Sequence, residues 1–397
     1  MNFARRLDKI LPSKTLSITN RVLEMRKAGE DIISLGAGEP DFATPEHVKH
    51  AAIDAINKGF TKYTVSTGIP ELKEAIATKL KKDNNIDVNP SQVIVSCGGK
   101  FALAAAVLAL CEEGDEVLIP SPYWVSYPEM VRLAGAKPVF VPTKAEQCFA
   151  FDFDELQRAL TPKTKLLMFN NPVNPSGAVY DEKVTDNLAE WLKSTNILAL
   201  TDEIYESIIF DDIAIRSLAS YPEIKEQVIT VNGVSKTYAM TGWRIGYAAG
   251  PKKIIAQMAK IQSHTTSNPT SISQWAAVSA ISGDQSFVTE MKAAFKKRRD
   301  FVYDRLNKMS GLTCTNGLGA FYLLPDASYF LNQRTGKGKM KDVVELCQYL
   351  LEEYRVAVVP GNAFGVPNHF RISFAASMEQ LSEAMDRIQA GLHNLDS

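Results

Sequence analysis

Through the middle of the chain, short apolar runs alternate with longer amphipathic stretches, the pattern of a largely parallel sheet covered by helices on both faces. Candidate strands are Val93 to Cys97, Glu116 to Pro120, Pro138 to Val141, Lys165 to Asn170, Ile197 to Asp202, Val228 to Asn232 and Arg244 to Ala249. Most are β-branched or Leu-rich and stop at Gly, Pro, Asn or Asp, as strands buried on both faces do. Thr44-Pro45 supplies an N-cap and first residue for one helix, and Gly59 closes it after Lys58. A second helix is predicted from Pro70 to about Lys82. A third starts at Gly99-Lys100, directly after the strand ending at Cys97.

Beyond residue 288 the pattern changes. A charged helical stretch, Met291 to Lys308, leads to isolated strands Ala320 to Leu324, Val356 to Val359 and Arg371 to Phe374, with helices Lys341 to Tyr354 and Met378 to Leu392. This order predicts a smaller α+β unit. The polar, basic segment Asn332 to Lys341 predicts an exposed loop. The longest apolar run, Phe101 to Cys111, has 11 residues. A membrane span needs about 20, so the run predicts a buried helix.

At 397 residues the chain is long enough for two or three core-bearing units. Its 45% apolar and 22% charged content excludes wholesale disorder. The net charge of -1 argues against nucleic acid or an anionic membrane as the main partner. Residues 1–10 lack the apolar stretch and cleavage site of a secretory signal, so the expected compartment is cytoplasmic. Five scattered cysteines without a Cys-x-x-Cys pair argue against a disulfide framework and a cysteine-based zinc site. His47 and His50 have no third ligand nearby and read as solvated side chains on a surface helix; no metal is expected.

Several motifs fail on inspection. Gly36-Ala-Gly38 opens like a dinucleotide fingerprint, but Pro40 and Asp41 stand where a helix should begin. Gly233-Val-Ser235-Lys-Thr lacks the closing Gly of a nucleophile elbow. What remains is a set of unusual residues at strand ends, where open α/β sheets place their ligands. Asp202 ends an otherwise apolar strand, and Tyr205 lies three residues on. Lys236 follows another strand among Gly, Ser and Thr, with Arg244 eight residues beyond. A buried amine with a lowered pKa can attack a carbonyl and form a Schiff base. A lysine, a carboxylate for a ring nitrogen, and Ser and Arg for a phosphate are the groups that pyridoxal phosphate requires.

Five ordered motifs carry a resemblance across almost the whole chain: Leu35-Gly-Ala-Gly-Glu-Pro-Asp-Phe42, Ser121-Pro-Tyr-Trp-Val-Ser-Tyr-Pro128, Asn171-Pro-Val-Asn-Pro-Ser-Gly177, Thr201-Asp-Glu-Ile-Tyr205 and Arg371-Ile-Ser373. The chain resembles class I aminotransferases, in the bacterial branch that includes aspartate and prephenate aminotransferases. The resemblance implies fold type I: a large domain of residues 46–288 with a mostly parallel seven-stranded sheet, and a small α+β domain of residues 1–45 plus 289–397 that closes over the site. It implies a homodimer with shared active sites.

It also implies roles. Lys236 would tether the cofactor and move the Cα proton, Asp202 would keep the pyridine nitrogen protonated, and Tyr205 and Asn174 would bond the phenolic oxygen. Trp124 would stack on the ring. The phosphate would sit on the amides of Gly99 and Lys100, with Ser235, Arg244 and Tyr63 of the opposite subunit. Arg371 would clamp the substrate α-carboxylate, aided by Gly38. Lys100 and Thr15 would read a distal carboxylate. The sequence departs from the branch at Lys14, where relatives commonly have Ala.

The implied activity is transfer of the amino group of L-aspartate to 2-oxoglutarate by a ping-pong mechanism. The alternatives are a bifunctional aspartate/prephenate enzyme, an aminotransferase for aromatic or alanine substrates, or β-elimination from cysteine conjugates. A transcription regulator on the same fold needs an N-terminal DNA-binding domain, and Gly36 begins too early for one.

Overall fold

The computed structural model describes residues 3–12, 14–331, 333–335 and 338–395; the side chains of 14–16, 334, 335 and 338 are outside the description. A short strand β1 (Ile33–Ser34) precedes a seven-stranded sheet made of β2 (Val93–Cys97), β3 (Glu116–Ser121), β4 (Lys137–Pro142), β5 (Thr164–Asn170), β6 (Leu198–Asp202), β7 (Val228–Gly233) and β8 (Ile245–Ala249). Its order is β2-β8-β7-β6-β5-β3-β4. All neighbours pair in parallel except β8, which runs antiparallel to both β2 and β7. All seven predicted strands are present, with ends moved by a residue or so.

Apolar residues cover both faces of this sheet, as crossover helices require. On one side Ile94, Val117, Met168, Leu200 and Val231 pack with Ala102, Leu103 and Val107 of helix α4. Helices α1 (Lys14–Lys27), α2 (Glu46–Asn57) and α3 (Pro70–Asn84) precede α4 (Gly99–Leu110), and α5 (Tyr127–Leu133) follows β3. The turn from β2 into α4 is tight. Gly98 has a φ of +81°, and a Cβ on Gly246 would lie 2.1 Å from the Gly99 nitrogen. Only glycine lets β8 pass this close to the start of α4.

A second sheet has the order β13-β14-β9, from β9 (Tyr322–Leu323), β13 (Val359–Pro360) and β14 (Phe370–Ser373). Its surrounding core joins Ile33 and Leu35 to Phe295, Leu346, Ile372 and Ile388. The predicted strand Val356 to Val359 is in fact two: β12 (Val356–Ala357) pairs in parallel with β1, whereas β13 pairs antiparallel with β14. The chain changes sheets at Val358. Strand Ala320 to Leu324 shrinks to β9 because Ala320 adopts a φ of +56°, outside extended geometry. Within the predicted loop, β10 (Arg334–Thr335) and β11 (Gly338–Lys339) form an antiparallel pair; Asn332, Gly336 and Lys337 are outside the described residues.

Other expectations need correction. Pro45, not Thr44, is the residue before α2; the Thr44 hydroxyl instead donates to the Ala239 carbonyl and accepts from Trp243 Nε1. His47 is half-buried, its ring against Gly283, so it is not a solvated side chain. Helices α1, Lys252–Ser263 and Ser271–Ser282 lacked a clear sequence signal. The last is rich in Ser, a poor helix former in the interior, yet Ala276, Ala277 and Ala280 bury its face.

Candidate active site

At the C-terminal ends of the parallel strands lies a cavity of about 330 Å³. Asp202 ends β6, Asn174 follows β5, Ser235 and Lys236 follow β7, and Trp124 follows β3. The start of α4 contributes Gly99 and Lys100. Gly38, Tyr205, Arg244 and Arg371 complete the predicted residues that line the cavity. Among the described residues, one predicted residue is not in its walls. Tyr63 is 90% exposed on its own chain. The side chain of Thr15 lies outside the described residues, as does that of Lys14; one helical turn on, Thr19 lines the cavity.

Asp202 is buried. Its Oδ2 accepts a 2.7 Å hydrogen bond from the Tyr127 hydroxyl, and its Oδ1 accepts from the Ile204 amide at 3.3 Å. Burial pushes its carboxyl up to about 6; Tyr127, the Ile204 amide and the charge of Lys236 hold it from rising further. The group is thus ionised at neutral pH and able to partner a cation.

The Lys236 amine donates to the Gly38 carbonyl at 2.6 Å. Loss of water around it brings its pKa down to about 8. Glu39 and Asp202 oppose that shift, and Arg244 and Arg371 reinforce it. A neutral, nucleophilic fraction is therefore present near physiological pH.

Arg371 is 2% exposed. Its Nη1 donates to Asn174 Oδ1 at 2.9 Å and its Nη2 to the Gly36 carbonyl at 2.8 Å, while its Nε has no partner among the described residues. The guanidinium lies 4.4 Å from the Tyr322 ring centroid and 5.0 Å from that of Phe364. A buried guanidinium with an unused donor and, among the described residues, no carboxylate beside it is a site for an anion.

Asn174 is placed by its own amide, which donates to Asn170 Oδ1, while Asn170 Nδ2 donates to the Asp202 carbonyl. The Lys100 amine sits 4.8 Å over the Trp124 ring. Lys100 is an exposed residue, so its ammonium is less desolvated than the expected specificity role assumes. Partial loss of water around the amine, and then the nearby Arg244, still lower its pKa. Arg244 begins no strand, contrary to expectation: it sits left-handed at a φ of 56°. This bends its side chain back, so that Nη1 donates to the Thr241 carbonyl and the guanidinium lies against Gly98.

Asn170, Tyr127, Tyr322 and Thr19 also line the cavity and are not among the residues that the sequence marks. Tyr127 lies within the Ser121–Pro128 motif, three residues after Trp124, and that membership is its signal in the sequence. The Tyr205 and Tyr322 hydroxyls are 2.9 Å apart. Among the described residues no group of three or more His, Cys, Asp or Glu could hold a metal ion, and no helix is long and apolar enough to cross a membrane.

A family model described as aminotransferase class I and II matches residues 30–388. An aspartate aminotransferase of Geobacillus stearothermophilus is 46% identical over 389 residues, 98% of each chain. A probable aspartate/prephenate aminotransferase of Rickettsia typhi is 48% identical over 393 residues, also 98% of each. Among solved structures, an aspartate aminotransferase from Rhizobium meliloti superposes with a TM-score of 0.95 at 44% identity, covering 99% of both chains. That of Thermus thermophilus with maleate gives 0.93 at 42%, covering 98% of this chain and all of the other. The chain belongs to the class I and II aminotransferases.

Proposed function

We propose that this protein is an aspartate aminotransferase that uses pyridoxal 5'-phosphate and transfers the amino group of L-aspartate to 2-oxoglutarate, giving oxaloacetate and L-glutamate. The observation that carries the reading is the convergence of two cations on one loop. Lys236 is anchored on the Gly38 carbonyl and Arg371 on the Gly36 carbonyl, two residues apart. An α-carboxylate held by Arg371 would thus bring the substrate Cα beside the Lys236 amine.

The residues present fit the cofactor. The amides at the start of α4, kept clear by Gly98 and Gly246, form an anion cradle with Ser235 and Arg244 nearby. Asp202 is a buried carboxylate with a pKa of about 6, suited to a protonated ring nitrogen. When bound, pyridoxal phosphate supplies a conjugated ring that accepts the electron pair left by removal of the Cα proton. Lys236 Nζ would be its covalent anchor and, once displaced by substrate, would take the proton from Cα. Asn174 and Tyr205 would hydrogen-bond the phenolic oxygen, and Trp124 would cover the ring face. Arg371 would use Nε and a second nitrogen to grip the α-carboxylate in a fork that Lys cannot copy.

The distal carboxylate of aspartate would meet Lys100, with Thr15 as a second contact. The Thermus thermophilus relative is described with maleate, a four-carbon dicarboxylate, which supports an acidic substrate. The Rickettsia typhi relative is named for prephenate as well, so prephenate belongs among the acceptors to be assayed.

A homodimer with shared sites is part of this reading. Ile53, Ile56, Phe60, Tyr63 and Val65, within 13 residues of each other in sequence, are exposed apolar side chains that a second copy would cover, carrying Tyr63 to the partner's phosphate. Residues 46–288 would form the large domain, and 1–45 plus 289–397 the small domain that closes and expels water. The five free cysteines fit a cytoplasmic setting.

Borohydride reduction of the loaded enzyme should fix the cofactor on Lys236, and aspartate should be the best of a panel of amino donors with 2-oxoglutarate. Lys236→Ala should lose turnover by at least about 10⁴-fold. Turnover retained in that variant, or fastest conversion of alanine, would sink the reading.

A further inference from the structure

We propose that Tyr322 is a positioning residue that ties the orientation of Arg371 to that of Tyr205, so that one side chain aligns both the substrate clamp and a cofactor-facing hydroxyl. The inference rests on the function proposed above and extends it to a residue given no role there.

Tyr322 is fully buried and stands on β9, where its register partner on β14 is Ser373. Arg371 is the diagonal neighbour on the same face, within reach of an aromatic side chain across an antiparallel pair. Its guanidinium lies 4.4 Å from the Tyr322 ring centroid. A desolvated cation over an aromatic face is attracted to it, and the contact restricts rotation of the guanidinium about its stem. This contact adds to the hydrogen bonds that Nη1 and Nη2 make with Asn174 and Gly36, whereas the Nε has no partner among the described residues. Phe364, at 5.0 Å, is the second aromatic group against the guanidinium.

The other end of Tyr322 serves Tyr205, whose hydroxyl is 2.9 Å away. Each phenol has a single proton. If Tyr205 gives its proton to an acceptor in the cavity, the bond between the two hydroxyls must use the proton of Tyr322. Tyr205 then accepts from Tyr322 while donating into the cavity, and such chains polarise one another. The Tyr322 hydroxyl also abuts the loop that anchors both cations: a Cβ on Gly38 would lie 3.2 Å from it. The ring therefore sets the clamp and the hydroxyl sets the donor, and the two roles can be separated by substitution.

Tyr322→Phe keeps the ring and removes the proton. Tyr322→Leu removes both. With Phe, KM for aspartate and the dissociation constant of maleate should stay within about twofold of wild type. The pH midpoint of the bound cofactor's visible absorption should rise by at least about 0.3 unit, because a misaligned Tyr205 stabilises the ionised phenolic oxygen less well. With Leu, the same midpoint shift should come with maleate binding weakened by about tenfold or more. Circular dichroism and thermal midpoints of both variants confirm that the fold is intact.

An unchanged midpoint in the Phe variant would overturn the coupling to Tyr205. Equal maleate binding in Leu and wild type, with the fold intact, would overturn the coupling to Arg371. A wild-type protein that neither takes up the cofactor nor converts aspartate would instead overturn the underlying function.

Discussion

Tyr127 and Asp202 form a buried pair: the phenol donates to the carboxylate Oδ2 across 2.7 Å, from the start of α5 to the end of β6. Burial and the adjacent carboxylate push the phenol's own titration far above its usual value, so it remains a donor at any working pH. Asp202 is pulled in two directions. Its removal from water favours the neutral acid, whereas Tyr127, the Ile204 amide and Lys236 favour the anion.

Removing the Tyr127 hydroxyl should therefore raise the pKa of Asp202 above its present value of about 6. A hydrogen bond to a charged group is worth about 1.5–3 kcal/mol, or about one to two pKa units. In Tyr127→Phe the acidic limb of kcat/KM for aspartate should shift to higher pH by about one unit, with activity above pH 8.5 little changed. An unshifted acidic limb would show that Tyr127 does not support the anion.

The depressed pKa of Lys236 makes a separate prediction for stability without cofactor. The folded chain binds this proton only below about pH 8, against 10.5 for the unfolded chain. Below pH 8 both states hold the proton, so the full cost of burying the ammonium, about 3 kcal/mol, weighs against folding. That cost fades as pH rises from 8 to 10.5. Lys236→Met should accordingly be more stable than cofactor-free wild type at pH 7, with the gap closing by about pH 10.5. Urea unfolding at a series of pH values measures it, and a pH-independent gap would mean packing alone is responsible.

How far the site could be read from sequence depends on how each residue contrasts with its surroundings. Asp202 and Lys236 stand out because buried parallel strands leave long apolar runs, against which a carboxylate or an amine at the end is conspicuous. Tyr127 and Tyr322 have no such contrast. An aromatic amid apolar neighbours reads as core, and both are indeed buried; only their hydroxyl partners, 75 and 117 residues away in sequence, reveal a polar role. The central strands were legible for the same reason as Asp202. The helix Ser271–Ser282 was not, because its face is formed by small Ala residues packed on tertiary neighbours, with no long-range apolar period. Arg244 reads as a strand residue by propensity, but it adopts a left-handed φ of 56° just before β8 and its guanidinium lies against Gly98.

Lys100 is exposed on its own chain, and its amine rests over Trp124. An ammonium still in contact with water gains less from a carboxylate than a buried one does, so its contribution to specificity is about 1–2 kcal/mol, roughly tenfold. Lys100→Ala should lower kcat/KM for aspartate about tenfold relative to alanine. Equal losses on the two donors would exclude Lys100 from reading the side chain and leave that task to other residues.

Tyr63 does not line the cavity of its own chain, and its 90% exposure leaves it open to a second copy. If it completes the partner's phosphate site, then two defective chains can complement each other. Lys236→Ala alone should be inactive, and Tyr63→Ala alone should bind cofactor about tenfold more weakly. In a mixed dimer, the site with an intact Lys236 receives an intact Tyr63 from the other chain, whereas the second site carries both defects. Unfolding and refolding an equal mixture should thus leave about a quarter of all sites fully wild type. Those sites should turn over at low cofactor concentration, where neither parent does. If Tyr63 served its own chain's site, every site in the mixture would be defective and no such activity would return.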